Sequence, residues 1–154
     1  MLSRFTRESK KTGIDSTDLE LGREVGQKID DLQGVRHLAR YEIDASGGRA
    51  TLVGHVRSRQ MARSMAEVAR RVRGVTAVED RLFADDELEV RVAATIGRGD
   101  GQRGSRLVVR SEFGRLRIGG AFASSAAAAD AIEIGRSVPG VVDATAARAT
   151  DLLS

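Results

Sequence analysis

Apolar and polar positions along this chain recur with two different periods, and the switches between them mark its elements. Leu21, Val25, Ile29 and Leu32 recur every three or four residues and predict an amphipathic helix with one buried stripe. Thr17-x-x-Glu20 has the spacing of a capping box and predicts a helix start at Thr17, with Gly34 as the stop. Ala39, Tyr41 and Ile43 then alternate with Arg40, Glu42 and Asp44, the period of a half-buried strand. Ser46-Gly47-Gly48 turns the chain into a second strand. There Ala50, Leu52, Gly54 and Val56 share the core face, and Thr51, Val53 and His55 share the other. Ser58 suits the N-cap of a second helix, with Met61, Met65, Val68 and Val72 as its buried stripe and Gly74 as its end. Val75, Val78 and Leu82 mark a third strand that ends near Phe83.

The pattern then repeats. Asp86-x-x-Glu89 reads as a fresh helix start, with acids at the positive end of the helix dipole, and Leu88, Val92 and Ile96 renew the apolar stripe. After a glycine-rich loop, Gly97 to Gly104, a strand containing Val109 and Ser111 turns at Gly114. Leu116, Ile118, Gly120 and Phe122 match Ala50, Leu52, Gly54 and Val56 at one fixed offset. At that offset Ser124 matches Ser58, and Ala127, Ala131, Ile134 and Val138 match Met61, Met65, Val68 and Val72. Gly140-Val141 likewise matches Gly74-Val75. This internal duplication predicts an α+β fold of two αββαβ units, each a three-stranded mixed sheet with two helices packed on one face. The expected division is a mobile tail over 1–16, a first unit over 17–84, a second over 85–149 and a tail over 150–154. The expected cores are Leu52, Val56, Met65, Val68 and Val72 in the first unit, and Ile118, Phe122, Ile134 and Val138 in the second. Gly54 and Gly120, inside a strand face, are expected to let a helix approach. Gly74 and Gly140, after a helix, suit a left-handed backbone.

Composition narrows the chemistry. The chain has 154 residues without a cysteine, which removes disulfides, thiolate chemistry and cysteine metal sites. Its two histidines, His37 and His55, have no nucleophile or carboxylate at motif spacing, so neither a catalytic residue nor a metal site is expected, and no cofactor. No phosphate-loop motif stands between a strand and a helix. Aromatic residues are 3% of the chain, too few for base stacking, which disfavours nucleic acid as a partner. Gly101-Gln102-Arg103-Gly104 has the Gly-x-x-Gly form of a backbone clamp but sits between a helix and a strand, the wrong context for it. Neither a secretory signal nor a membrane span is visible, so the chain is expected in the cytoplasm, free or peripheral at a membrane.

Charge is the one uneven feature. Arg59, Arg63, Arg70 and Arg71 crowd the second helix against the single acid Glu67, and an acidic joint from Glu79 to Glu89 follows. Either the arginines face an anionic surface, or the acidic joint occupies them internally.

Thr51-Leu52-Val53-Gly54-His55-Val56 with Ser58, the helix after it, and Gly74-Val75-x-x-Val78-x-Asp80-x-Leu82 resemble the BON domain. Asp80 stands where that family usually has Asn. The second copy keeps Leu116-Arg117-Ile118-Gly119-Gly120 and Gly140-Val141, but has Ala144 and Ala146 where the third strand should carry Val and Asn. The chain therefore resembles a tandem BON-domain protein whose second domain is degenerate. The resemblance implies a non-enzymatic binding module, with a phospholipid surface as partner in an envelope or osmotic-stress setting. The alternative it leaves open is a structural or protein-interaction module that can self-associate. The residues offered for an anionic surface are Arg59, Arg63, Arg70 and Arg71.

Overall fold

The computed structural model describes residues 16–153; the tail expected over 1–16 lies, apart from Ser16, outside the described residues. The element order is α1 (Ser16–Asp30), α2 (Val35–Leu38), β1 (Ala39–Ser46), β2 (Arg49–Val56), α3 (Arg59–Arg70) and β3 (Ala77–Ala84). It continues with α4 (Asp85–Gly97), a 3-10 turn (Asp100–Gln102), β4 (Arg106–Glu112), β5 (Arg115–Ala121), α5 (Ser125–Ser137), β6 (Asp143–Ala146) and α6 (Ala149–Leu152). Two three-stranded sheets result, in the orders β1-β2-β3 and β4-β5-β6. The fold is thus the mixed α+β arrangement of two α/β units that the duplication implies. In the second sheet β4 and β5 are antiparallel and β5 and β6 parallel, because α5 crosses over between the latter pair.

Contacts group the chain into two compact units. The first runs to Gly54 and resumes over Gln60–Leu82; the second takes in His55–Arg59 and everything from Phe83. The five residues from His55 to Arg59, which the sequence repeat assigns to the first copy, therefore pack with the second.

In the first unit Val25, Ile29, Leu52 and Met65 are fully buried, and Val72 is 8% exposed; Val56, expected with them, is also fully buried but groups with the second unit. The buried stripe of α3 is not the expected one. Ala62, Met65, Ala66 and Ala69 face inward, whereas Met61 and Val68 are half-buried flanks. Alanine lets the helix axis lie close to the sheet, which turns the larger Met61 and Val68 toward the margins of the contact. α1 differs at its start: it is already helical at Ser16, so Thr17 lies within its first turn instead of preceding it.

In the second unit the core comprises Val92, Ile96, Val109, Leu116, Ile118, Ala131, Val138 and Ala144. Phe122 and Ile134, expected inside, are half-buried and pack against this core from its edge. Gly135 takes the inward position beside them; a Cβ there would lie 2.8 Å from Ile118 Cδ1, so α5 approaches β5 at glycine distance. Ser124 caps α5 as expected, its Oγ accepting from the Ala127 N–H at 3.0 Å. β6 is half as long as β3, in keeping with the alanines at 144 and 146. Of the residues expected as a tail over 150–154, Thr150 to Leu152 lie in α6, whose Leu152 is 3% exposed.

Gly54 and Gly120 are needed for a reason other than helix approach. Their φ values are 140° and 133°, and a Cβ at either would collide with backbone of the neighbouring strand, at the Arg40 and Arg106 carbonyls respectively. The strand partner, and not a helix, demands the missing side chain.

Two predictions follow from the packing. Met65→Ala and Ile118→Ala should each lower unfolding free energy by about 2–5 kcal/mol in urea titrations, and Val68→Ala by clearly less, since Val68 is only half-buried. The second concerns Tyr41, whose hydroxyl donates to Asp30 Oδ1 at 2.8 Å. Burial, then the hydrogen bond to Asp30 and its negative charge, raise the phenol above its ordinary value. A raised folded value means that the folded state holds its proton longer, so this contribution is intact below the unfolded value of about 10 and falls as pH rises beyond it. Denaturation midpoints should decline above that pH in the native chain and decline less in Tyr41→Phe.

Candidate functional site

The basic helix and the acidic joint were the features that sequence singled out, and the structure divides them into distinct roles. Asp85 opens α4 and is 2% exposed. A carboxylate so buried needs partners on all its lone pairs. Oδ1 accepts from Ser111 Oγ at 2.6 Å and from the Gly114 N–H at 3.0 Å. Oδ2 accepts from the Phe113 N–H at 2.8 Å and from Arg57 Nη1 at 3.0 Å. The same Arg57 nitrogen donates to the Ser111 carbonyl at 2.7 Å, and its guanidinium lies 5.8 Å from the centre of the Phe113 ring. Glu89, one turn on, accepts from the Ser111 N–H at 2.9 Å. Asp85 therefore ties down the β4–β5 hairpin within the second unit, where Phe113 and Gly114 both hold positive φ, 49° and 81°.

Asp86 and Glu87 hold the start of α3. Asp86 accepts from the Arg59 backbone N–H at 3.1 Å, an orphan donor of the helix terminus. Glu87 receives the Arg59 guanidinium in a paired fork, Nε to Oε1 and Nη2 to Oε2, each at 3.0 Å. His55 Nε2 lies 2.7 Å from the Gly140 carbonyl, which makes that nitrogen the donor, and its ring is tilted against Phe83 at 5.7 Å. The acids were expected as favourable helix-start charges, and α4 does carry them in its first turn. Their side chains also bind Arg57, Arg59 and the hairpin, which no spacing in the sequence announced.

The four arginines offered as an anionic-surface site consequently differ. Arg59 is engaged by Glu87 and 24% exposed. Arg71 pairs with Glu67 at 3.4 Å across one helical turn, both side chains well exposed. Such exposed pairs contribute only about 0.3–0.5 kcal/mol, but they occupy Glu67, the one acid in the patch. Arg63 and Arg70 are exposed, stand seven residues apart along one line of α3, and have no ion-pair partner among the described residues. Arg73, just beyond the helix, is exposed in the same way. The four structural glycines sit at backbone positions of positive φ: Gly54, Gly74, Gly120 and Gly140.

Among the described residues no group of three or more His, Asp or Glu side chains could hold a metal ion, and no helix is long and apolar enough to cross a membrane.

Comparison with known proteins finds a family match within the first unit. Residues 17–82 match the BON domain family, so a BON domain is found there. BON domains are binding modules linked to phospholipid. Among solved structures, the C-terminal domain of CdsD, the structural protein of the Type III secretion system of Chlamydia trachomatis, is similar at 18% identity with a TM-score of 0.59. That match covers 90% of this chain and 68% of CdsD's. A second CdsD structure gives 16% identity and a TM-score of 0.59, over 81% of this chain and 60% of that one. At these identities the likeness is one of fold. No curated protein matches the sequence.

Asp85 yields a sharp test. Asp85→Ala leaves the Phe113 and Gly114 amides and the Ser111 hydroxyl without their acceptor, and should destabilise the chain by about 3–5 kcal/mol. Arg57→Ala should cost about 1 kcal/mol, because Arg57 is 40% exposed and can be replaced by water. Chemical denaturation of both variants compares them directly.

Proposed function

We propose that this chain is a non-enzymatic tandem module of two BON-like domains, the second degenerate, which adsorbs to anionic phospholipid through the exposed face of α3. The observation that supports it is the state of Glu67. With Glu67 taken by Arg71, Arg63 and Arg70 project from a BON domain with no counter-charge among the described residues. Arginine is always ionised and can grip phosphate oxygens with two parallel N–H groups. Each basic residue near an anionic leaflet contributes about 1 kcal/mol, so Arg63, Arg70 and Arg73 together amount to about 3 kcal/mol, a weak and reversible attachment. The inward face of α3 is alanine-rich and already committed to the core, and its outward face has no Trp, Phe or Leu, so adsorption without insertion is the mode it suits.

The second reading is a protein-interaction module, and the observation favouring it is the fold shared with the C-terminal domain of a secretion-system structural protein. The two readings separate in one experiment. Co-sedimentation with phosphatidylglycerol vesicles should occur at low salt, fall steeply at high salt, and be absent with phosphatidylcholine alone. The double variant Arg63→Glu, Arg70→Glu should lose binding with an unchanged melting temperature. Binding that ignores salt or survives the double variant would remove α3 as the lipid site, and absence of binding to anionic vesicles would leave the protein-interaction reading.

A further inference from the structure

The outer face of the second sheet carries an uncompensated row of charge. Arg110 on β4 is directly opposite Arg117 on β5, and Arg117 is in register with Thr145 on β6. Cross-strand partners project from the same face of a sheet. The inner face is marked by Val109, Ser111, Leu116 and Ile118, all buried, so strand alternation places Arg110, Arg117 and Thr145 outward, and all three are exposed. Two like charges directly opposite repel each other. One step along the strands the charges are balanced, since Arg115 has Glu112 opposite it and Asp143 beside it. At the Arg110–Arg117 row no carboxylate answers among the described residues; Arg110 Nη1 donates only to the Val109 carbonyl at 3.2 Å.

The surface beside this row is stepped. Gly119 is the next outward position after Arg117, and a Cβ there would lie 3.1 Å from Leu152 Cδ1 and press on the Ala147 carbonyl. The segment from Ala147 through α6 therefore stands against the outer face, next to the arginines. A compact anion can settle at the foot of such a step, whereas a planar bilayer meets the raised helix.

We propose that Arg110, Arg117 and Thr145 bind the phosphoryl group of a soluble phosphate ester. The two guanidinium forks supply parallel N–H donors to phosphoryl oxygens; the Thr145 hydroxyl beside them donates to the Leu116 carbonyl at 3.4 Å, a long bond that a phosphoryl oxygen can replace. A dianion between the arginines replaces their mutual repulsion with attraction. The site lies on the second unit and stands or falls independently of the α3 face.

The test uses the full chain with inorganic phosphate and pyrophosphate, against sodium chloride of matched ionic strength, read by thermal melting and titration calorimetry. Phosphate, and not chloride, should raise the melting temperature of the native chain. Arg110→Gln and Arg117→Gln should each weaken phosphate binding about tenfold, the loss expected for one charge-assisted hydrogen bond. In chloride both variants should melt at the native temperature or slightly above it, because a repulsion has been relieved; this also shows that they fold. A gain equalled by chloride, a gain that survives both substitutions, or a marked fall of either variant's melting temperature in chloride would overturn the proposal. So would phosphatidylglycerol vesicle binding that depends on these two arginines while inorganic phosphate binding does not, since the phosphoryl group would then belong to a membrane headgroup.

Discussion

A buried carboxylate is costly to desolvate, and the second unit is arranged around satisfying one. Asp85 is 2% exposed and receives four hydrogen bonds, from Ser111, Phe113, Gly114 and Arg57. Two of those donors are amides of one tight hairpin, so the carboxylate fixes the turn as well as its own charge. Phe113 holds φ at 49°, an unfavourable conformation for a residue with a Cβ, and the bond from its amide to Asp85 is what offsets that strain. Once the turn is set, the register of β4 against β5 is set too, because a two-residue loop leaves no freedom to slip. The placement of Arg110 opposite Arg117 therefore follows from the turn that Asp85 fixes.

The two copies of the repeat solve the same packing problem with different volumes. The first fills the space between α3 and its sheet with Met65 among alanines. The second has Ala131 and Gly135 inward on α5 and Ala144 on β6, and a Cβ at Gly135 would press on Ile118. On the opposite side of this sheet α6 covers Gly119 with Leu152. Gly119 has no equivalent small residue in the first copy, where the matching position is Val53, 45% exposed. The added helix and the added glycine go together.

The fold was legible because its signals are local and repeated. Periods of apolar residues, Ser124 as a cap and glycines after helices each report on neighbouring backbone, and the duplication tested every one of them twice. What was not legible depended on contacts remote in sequence. The phase of α3 was misread because Met and Val outrank Ala in hydrophobicity, while close approach of helix to sheet selects the small residue for the centre. Gly54 and Gly120 were assigned to a helix, but the obstructing atoms belong to the neighbouring strand, which only a known register reveals. Asp85 looked like one more acid in a solvated joint, since nothing in its neighbourhood of sequence names Arg57 or Ser111 as partners.

The same limitation governs charge. A helix with many arginines invites an electrostatic reading in which every cation counts equally, yet the relevant quantity is the charge left after internal pairing. On α3, Arg59 is withdrawn by the fork to Glu87, and Glu67 is neutralised by Arg71. Of the four arginines offered there, Arg63 and Arg70 are left. On the second sheet the reverse happens: Arg110 and Arg117 are unremarkable in sequence, seven residues apart among other cations, and become a concentrated pair only through strand pairing. Pairing thus removes charge from the segment richest in arginine and concentrates it on one that is not. Since exposed pairs are weak and screened, whereas two guanidiniums at neighbouring strand positions with no carboxylate partner among the described residues repel at close range, the second arrangement is the one with more to gain from an external anion.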